Sequence, residues 1–315
     1  MLLGSLGELA TSTAVRVRPV REEELLQCAR VGMRSMRSLH RRQGKPPTRL
    51  RPRDTLPFLR HAFATDPKGF QVAVSRGKVV CFAITILRGE THFLAEFFAL
   101  PGSQNRGIGR KVLTRAFTEP MPPREAARCL VASLDVRAQG LYMKFGMQPR
   151  TVVYHFTGRP GKPNERGRLQ LSQVGPTGES TRESREIAAR FDLPLREARR
   201  DADQRYFLSA VPGSRFYRAE QGTDTAGYIV IRGHGAIGPG GVSDASLSGD
   251  VLTRAVAKAH ELRLKEVSAW IPGLNKGAVR AAFEAGLKVD FMTVWMAARQ
   301  IGNLESYIPS GGVLF

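Results

Sequence analysis

Two glycines and the polar residues before them form the segment of this sequence best suited to bind an anion. Residues 99–113 read ALPGSQNRGIGRKVL, in which Pro101 and a polar turn lead to Gly107, Gly109 and an amphipathic run. The backbone N–H groups of such a loop and of the first helical turn have no partner within the helix, so they can converge on an anion. Because glycine has no side chain, a phosphate can approach the backbone closely, and a diphosphate is the expected ligand.

The spacing of these glycines differs from that of two common nucleotide-binding motifs. A dinucleotide fold would show GxGxxG, and a P-loop would show GxxxxGK[ST], for which Lys111 and Thr114 lie in the wrong places. The loop by itself is equally compatible with a glycine-rich turn that begins a helix. Features elsewhere in the sequence are needed to distinguish a phosphate site from a plain turn.

Hydrophobic periodicity predicts that this loop lies inside a mixed α/β domain. Alternating apolar residues, helical repeats and the turns SRGK and RGE give the order β-α-α-β-β-β-α-β-α-β. Asp54 is the expected N-cap of the second helix. The strands are expected at residues 15–20, 69–75, 78–88, 91–100, 129–136 and 151–157, and the helices at 21–39, 54–64, 108–118 and 138–145.

The second half of the sequence repeats the first. The residues VLTRA occur at 112–116 and again at 251–255, and each copy is followed by an apolar strand and a helix that ends near a glycine. Between the halves, a segment rich in Gly, Pro and polar residues is typical of a linker. The predicted organisation is an N-terminal domain at 1–158, a linker at 159–184 and a second domain at 185–315.

Two motifs resemble those of the GNAT superfamily of acyl-CoA-dependent N-acyltransferases. PGSQNRGIG at residues 101–109 is similar to the family signature P-x-x-[QR]-x-x-G-x-[GA], with every fixed position present. DVRAQGLYMKFGM at 135–147 is similar to N-x-x-A-x-x-L-Y-x-K-x-G-F, with Asp135 in place of asparagine and Met147 in place of phenylalanine. The resemblance implies a mixed α/β (α+β) fold of two tandem GNAT-like domains, each with a centrally splayed mixed sheet flanked by helices.

The resemblance also implies where an acetyl-CoA donor would bind. Its pantetheine arm would lie between the splayed strands, beside main-chain groups of Phe97 and Ala99, and residues 104–110 would hold the pyrophosphate. Tyr142 matches the family's general acid, which protonates the departing thiolate, and Glu96 matches its general base for the amine. The residues expected to contact the donor are Phe97, Phe98, Ala99, Gln104, Asn105, Arg106, Gly107, Ile108, Gly109, Arg110 and Asp135.

Each catalytic assignment has a structural alternative. Tyr142 could be a core tyrosine of a short helix. Glu96 lies within the apolar run FLAEFFAL and could instead pair with an arginine. The sequence leaves both alternatives open.

Aligned on VLTRA, the second copy lacks the features of a donor site. The position of Tyr142 falls at Ala281 or Ala282, and Asp250 replaces Lys111 with a carboxylate that opposes a bound phosphate. Ser243, Ser246 and Ser248 stand where the first copy has Gln104, Gly107 and Gly109. Catalysis is therefore expected in the N-terminal domain alone, and the second domain is expected to be a degenerate copy.

Composition disfavours some other classes of protein. The formal net charge is +20, but the basic residues are mostly arginine and are not interleaved with aromatic platforms, so nucleic acid is not the favoured partner. Three scattered cysteines and six unclustered histidines predict neither disulfides nor a metal site. With no long apolar run, the chain is expected to be cytoplasmic, with no membrane partner.

The expected function is acetyl-CoA-dependent transfer of an acetyl group to a primary amine, by direct attack in a ternary complex. The basic segment LHRRQGKPPTRLRPRD at residues 39–54 would repel polycations, which favours an acceptor that bears a carboxylate or phosphate. A non-catalytic acyl-CoA sensor and a basic nucleic-acid-binding protein on the same fold remain alternatives. The oligomeric state is left open, with a homodimer as one option.

Overall fold

The two halves of the chain contain the same elements in the same order. The computed structural model describes residues 15–44, 46, 50–104, 107–161 and 167–314. The first half contains β1 (Arg16–Pro19), α1 (Leu25–Arg42), α2 (Pro52–Thr65), β2 (Phe70–Ser75), β3 (Lys78–Arg88), β4 (Thr91–Ala99), α3 (Ile108–Thr118), β5 (Ala127–Ala132), α4 (Val136–Lys144) and β6 (Gln148–Gly158). The second half contains β7 (Gln170–Gln173), α5 (Arg182–Arg196), α6 (Asp201–Ser209), β8 (Arg215–Gln221), β9 (Asp224–Ile231), β10 (Ala236–Val242), α7 (Ser248–Glu261), β11 (Val267–Pro272), α8 (Lys276–Glu284) and β12 (Lys288–Ala297), followed by β13 (Tyr307–Ile308). Short 3-10 turns precede α1, α3 and α7.

All the strands belong to one mixed sheet, because the halves exchange their last long strands. The order is β1-β2-β3-β4-β5-β12-β6-β11-β10-β9-β8-β7, and β13 pairs with β10 outside this path. Thus β12 lies between β5 and β6, and β6 lies between β12 and β11. The exchanged strands run antiparallel, with Val152 opposite Val294.

The structure differs from the sequence predictions at the ends of several elements, in the predicted linker and at the N-cap of α2. β5, predicted at 129–136, ends at Ala132, before α4 begins at Val136, and α5 begins at Arg182 inside the predicted linker. The segment predicted to be a linker contains the edge strand β7, which pairs with β8 and is flanked by the buried Leu169 and Val174. Its sequence QLSQ is short and polar, so it carries little strand signal. Asp54 is not the N-cap of α2: Pro52 begins the helix, and Asp54 accepts a hydrogen bond from the backbone N–H of the N-cap Arg51 at 2.7 Å.

The helices of the first half cover both faces of the sheet. One apolar cluster joins α1 and α2 to β2 and β3 through residues such as Cys28, Phe58 and Phe82. A second joins α3 and α4 to the opposite face through residues such as Val112 and Leu130. Burying each large apolar side chain contributes about 1.5–3 kcal/mol, so the sheet is held firmly on both sides.

Polar contacts also link the two halves. The buried Asp203 of α6 accepts hydrogen bonds from Arg88 at 2.7 Å and from His61 of α2 at 2.9 Å. These partners hold the pKa of the Asp203 carboxyl well below its usual range, although burial opposes them. The ring of Tyr206 stacks on His61, with 4.7 Å between ring centroids. The second half is therefore fixed against the face of the first half that carries α1 and α2.

Two further searches cover the described residues alone. No helix there is both long and apolar enough to span a membrane. The same residues contain no group of three or more acidic, cysteine or histidine side chains placed to hold a metal ion.

Candidate active site

The central strands of the first half separate partway along their length. β4 and β5 pair in parallel only at Thr91–Phe93 with Ala127–Cys129. Beyond Phe93, β4 continues to Ala99 beside β3, and no described strand pairs with its other edge. Main-chain N–H and C=O groups along such an edge can pair with an extended ligand.

A β-bulge in β4 determines which side chains face each side of the sheet. Glu96 pairs with Ile84 and Leu94 with Thr85, so Ala95 has no residue of its own opposite it on β3. The bulge shifts the alternation by which successive side chains of β4 point to opposite faces of the sheet. Phe98 then packs with the α1 cluster, whereas Phe97 packs with the α3 and α4 cluster. Bulges of this kind re-aim side chains beside active sites.

Glu96 lies on the face of the sheet that α1 and the second half cover. Its carboxylate acts electrostatically on the Cys28 thiol of α1 and on the Tyr206 phenol of α6. Burial raises the pKa of the Glu96 carboxyl to about 8. Glu96 has no arginine or other hydrogen-bonding partner among the described residues, so the ion-pair alternative finds no support there. A partly desolvated, unpaired carboxylate is suited to accept a proton near neutral pH.

Tyr142 approaches the same part of β4 from the opposite face. It lies on α4, is 7% exposed, and its ring meets that of Phe97 edge to face at 6.3 Å between centroids. Burial is the main cause that raises the pKa of the Tyr142 phenol, so the phenol keeps its proton at neutral pH. The fold thus brings Glu96 and Tyr142 to either side of the unpaired edge of β4, with Phe97 adjacent to both.

The glycine loop begins α3 as expected, and the structure gives a separate reason why each of its two positions requires glycine. Gly107 is the N-cap with φ +72°, a left-handed conformation that other residues adopt at a cost. A Cβ at Gly109 would lie 2.8 Å from Cζ of Phe97, so this glycine lets α3 approach β4 closely. The side chain of Ile108 is buried in the core, which leaves its main chain to face a ligand, and Arg110 is exposed. Asn105 and Arg106, also predicted to contact the donor, lie outside the described residues.

The remaining predicted donor contacts are engaged within the protein. The carbonyl oxygen of Ala99 accepts hydrogen bonds from Ser35 at 2.8 Å and from the side-chain amide of Gln104 at 3.2 Å. Asp135 is the N-cap of α4, and its carboxylate also pairs with Arg137 and with Arg42 of α1. These contacts tie α1, the glycine loop and α4 together around the gap between β4 and β5.

The structure adds two residues of the second half that sequence reasoning missed. The Tyr206 phenol lies within electrostatic reach of Glu96 and of the Arg232 guanidinium. Arg232 packs over Phe207 and donates a hydrogen bond to the carbonyl oxygen of Ser310. No local motif marks Tyr206, because only the packing of α6 against the first half brings it to this face. Tyr206 lies toward the side of the site that faces Glu96, and Arg232 lies next to Tyr206.

In the second half, the protein's own chain fills the corresponding gap. β10 and β11 pair in parallel only at Ala236–Ile237 with Ser268–Ala269, and β13 then pairs with β10 and contacts β11. Gly240 lies opposite Ile308 and Gly241 opposite Tyr307. Both β13 side chains are fully buried, so this gap is closed.

The segment around β13 is also bonded to the helix N-termini beside the gap. The Asn275 side chain, the N-cap of α8, donates to the carbonyl oxygen of Tyr307 at 3.2 Å. The Ser248 hydroxyl at the start of α7 donates to the carbonyl oxygen of Glu305 at 2.9 Å. Arg200, which forms a buried ion pair with Asp192, also donates to the Tyr307 hydroxyl. The chain therefore occupies the place that a ligand would need in the second half.

We expect one molecule of CoA to bind per chain. No described strand pairs with the free edge of β4 beyond Phe93, whereas β13 occupies the corresponding gap beside β10. Isothermal titration calorimetry, checked by native mass spectrometry of the chain with CoA, should give a stoichiometry near 1. A second bound CoA at saturation would show that β13 is displaced from its gap.

Comparisons with known proteins agree with this geometry. Residues 33–147 match the profile of the acetyltransferase (GNAT) family. A Pyrococcus horikoshii protein to which acetyltransferase activity is ascribed shares 15% identity over 96% of each chain, with a TM-score of 0.73. A GCN5-related N-acetyltransferase from Sphaerobacter thermophilus shares 15% identity over 93% of this chain and 98% of that one, with a TM-score of 0.62.

A third solved structure has the same two-part architecture. A tandem GNAT protein from the clavulanic acid biosynthesis pathway shares 18% identity over 91% of this chain and 99% of that one, with a TM-score of 0.55. A search of curated protein sequences finds no significant match. The structural likenesses extend over both halves and establish the fold. The family profile falls on the first half, where no described strand pairs with the free edge of β4 beyond Phe93. The match to the acetyltransferase (GNAT) family therefore covers residues 33–147 in the first half, and the chain as a whole has the fold of tandem GNAT proteins.

Proposed function

We propose that the protein transfers an acetyl group from acetyl-CoA to a primary amine, in one active site in its first half. The observation that carries this proposal is the placement of Glu96 and Tyr142 on either side of the unpaired edge of β4. Glu96 is a half-buried, unpaired carboxyl with a pKa raised to about 8, and Tyr142 is a buried phenol that keeps its proton. One group is suited to accept a proton and the other to donate one.

Both substrates would have to be held beside this edge. The pantetheine arm of the donor would lie along β4, and the N-terminus of α3 at Gly107 would face the diphosphate. The amine would approach from the face that carries Glu96, because Phe97 and Tyr142 fill the other side. Holding both reactants in one geometry removes much of the entropic barrier to a bimolecular reaction.

In the proposed reaction, the amine nitrogen attacks the thioester carbonyl carbon and gives up one proton to the Glu96 carboxylate. The bond between carbon and sulfur then breaks, and the sulfur takes the electron pair. Tyr142 donates its phenolic proton to that sulfur, so CoA leaves as a thiol and the acetylated amine remains. Both protein groups return to their starting states by exchanging protons with solvent.

The second half would contribute no reaction of its own. Its gap contains β13, and α8 has Ala281 and Ala282 where α4 has the tyrosine. We propose instead that it forms a wall of the acceptor site through Tyr206 and Arg232. The electrostatic interaction of Tyr206 with Glu96, and of Arg232 with Tyr206, supports this assignment.

Replacing Tyr142 with phenylalanine tests the proposed function. The change removes the hydroxyl and keeps the ring that packs on Phe97. We expect wild-type protein to release CoA thiol from acetyl-CoA in the presence of a suitable primary amine, and the variant to have a kcat about 10²-fold lower. CoA affinity measured by calorimetry should not change. A variant that binds CoA normally and turns over at the wild-type rate would contradict the assigned role of Tyr142.

A further inference from the structure

A groove beside the glycine loop is lined by three arginines. It has a volume of about 510 Å³ and lies between the second half of α1 and residues 100–103. Arg34, Arg37 and Arg41 line it from α1, and their spacing of three and four residues places them along one face of that helix. The opposite wall leads directly into Gln104 and the loop that begins α3.

The charges of these arginines are not neutralised by the described protein. Arg34, Arg37 and Arg41 are exposed, and none has a side-chain hydrogen bond or ion pair with another described residue. Other exposed arginines do have acidic partners, as in the pairs Arg182–Glu186 and Arg199–Asp201. The groove is therefore a concentrated positive surface that an anionic ligand would neutralise.

The groove is held in place relative to the proposed donor site. The Ser35 hydroxyl of α1 donates to the carbonyl oxygen of Ala99 at 2.8 Å, and Arg42 near the end of α1 pairs with Asp135 at the start of α4. Gly32 of α1 packs against the Phe98 ring of β4. α1 thus runs alongside β4, and its three arginines lie at the groove where β4 is followed by the glycine loop.

We propose that this groove binds a phosphate group, namely the ribose 3′-phosphate of the CoA donor. The inference rests on the proposed function, since it requires a CoA molecule whose diphosphate lies at the glycine loop. A planar guanidinium matches the oxygen geometry of a phosphate and can donate two parallel hydrogen bonds to it. The 3′-phosphate is attached to the same nucleotide as the diphosphate, so it is the next anion along the ligand.

Calorimetry with CoA and 3′-dephospho-CoA tests this assignment without an acceptor. Wild-type protein should bind CoA about tenfold more tightly than 3′-dephospho-CoA. In the double variant Arg37→Gln/Arg41→Gln, this preference should fall below about twofold, while affinity for 3′-dephospho-CoA stays at the wild-type value. Thermal unfolding should be unchanged, because both side chains are exposed.

A matched variant controls for net charge. Arg190→Gln/Arg205→Gln removes the same two charges from exposed positions on α5 and α6, and it should keep the wild-type preference. Equal binding of CoA and 3′-dephospho-CoA by wild-type protein would overturn the proposal, as would a preference that persists in the Arg37/Arg41 variant. A rise in KM for a phosphate-bearing amine, with the CoA preference intact, would also overturn it by assigning the groove to the acceptor. Failure of both nucleotides to bind wild-type protein would instead contradict the proposed function.

Discussion

Replacing Glu96 with glutamine should lower kcat by about 10²- to 10⁴-fold, the range for losing a positioned general base. Glutamine has almost the same shape as glutamate, but its amide cannot accept the proton of the amine. Since Glu96 has no partner among the described residues, the change breaks no hydrogen bond within that part of the protein. Steady-state turnover with saturating acetyl-CoA and amine would measure the loss.

The pH profile gives a sharper test of the same variant. With a pKa of about 8, most Glu96 carboxyls are protonated at pH 7 and become active as the pH rises. In wild-type protein, kcat/KM for the amine should rise by about tenfold per pH unit below 8 and level off above it, because kcat/KM reports the pKa of the free protein. The glutamine variant should lack this rise. If the same rise remains, the titrating group belongs to the acceptor amine, and Glu96 is not the base.

Unfolding measurements separate this effect from damage to the fold. The raised pKa means that the folded state binds the Glu96 proton more tightly than the unfolded state, whose carboxyl titrates near 4.5. The tighter binding of this proton in the folded state therefore contributes in full to the free energy of unfolding below pH 4.5. That contribution is lost as the pH rises to about 8. Glutamine has no such proton, so the variant should gain stability relative to wild-type protein between pH 5 and 8. A variant that is less stable at every pH would indicate lost packing instead.

Replacing Gly107 with glutamate should weaken CoA binding by about 10³-fold. A carboxylate about 4 Å from a phosphate costs roughly 4 kcal/mol at the effective dielectric of a protein surface, and about 1.4 kcal/mol corresponds to each factor of ten. The left-handed φ of +72° adds strain for any side chain at this position. Calorimetry with CoA would measure the affinity.

Gly107→Gln is the matched control, because it brings the same length and the same strain without the charge. The glutamine variant should bind CoA much more tightly than the glutamate variant. Equal affinities in the two variants would mean that no phosphate lies near Gly107 and that the loop only begins a helix. The rates of acetyl transfer by the two variants should rank in the same order as their affinities for CoA, since acetyl transfer requires bound acetyl-CoA.

The first half was largely predictable because its elements carry strong local signals. β3 and α3 have the predicted bounds, since the continuous apolar run in KVVCFAITILR and the helical periodicity in IGRKVLTRAFT are both clear and are bounded by glycines or turns. The tandem fold followed from the repeat VLTRA and the two motifs. By contrast, β7 is short, polar and at an edge, so its pairing with β8 shows only in three dimensions.

The surroundings of the site were less predictable, because they depend on contacts between distant parts of the chain. The bulge at Ala95 that sets the direction of Glu96 has no signature in FLAEFFAL. Tyr206 reaches the Glu96 face only through α6. The closing of the second gap by β13 depends on two residues, Tyr307 and Ile308, that form a strand by pairing with the distant β10. Local sequence patterns encode the helices and strands, whereas the bulge, the Tyr206 contact and the closed second gap arise from packing between distant residues.

The position of β12 in the sheet also bears on how the protein is synthesised. This strand comes from residues 288–297, yet it is the one that pairs with β5 of the first half. While the chain is still growing on the ribosome, β5 therefore lacks its neighbour, although the residues proposed for catalysis have already emerged. The first half cannot complete its sheet until residues 288–297 have been translated. A stop codon before residue 288 would thus be expected to disable the proposed active site, although it leaves all the residues of that site in the chain.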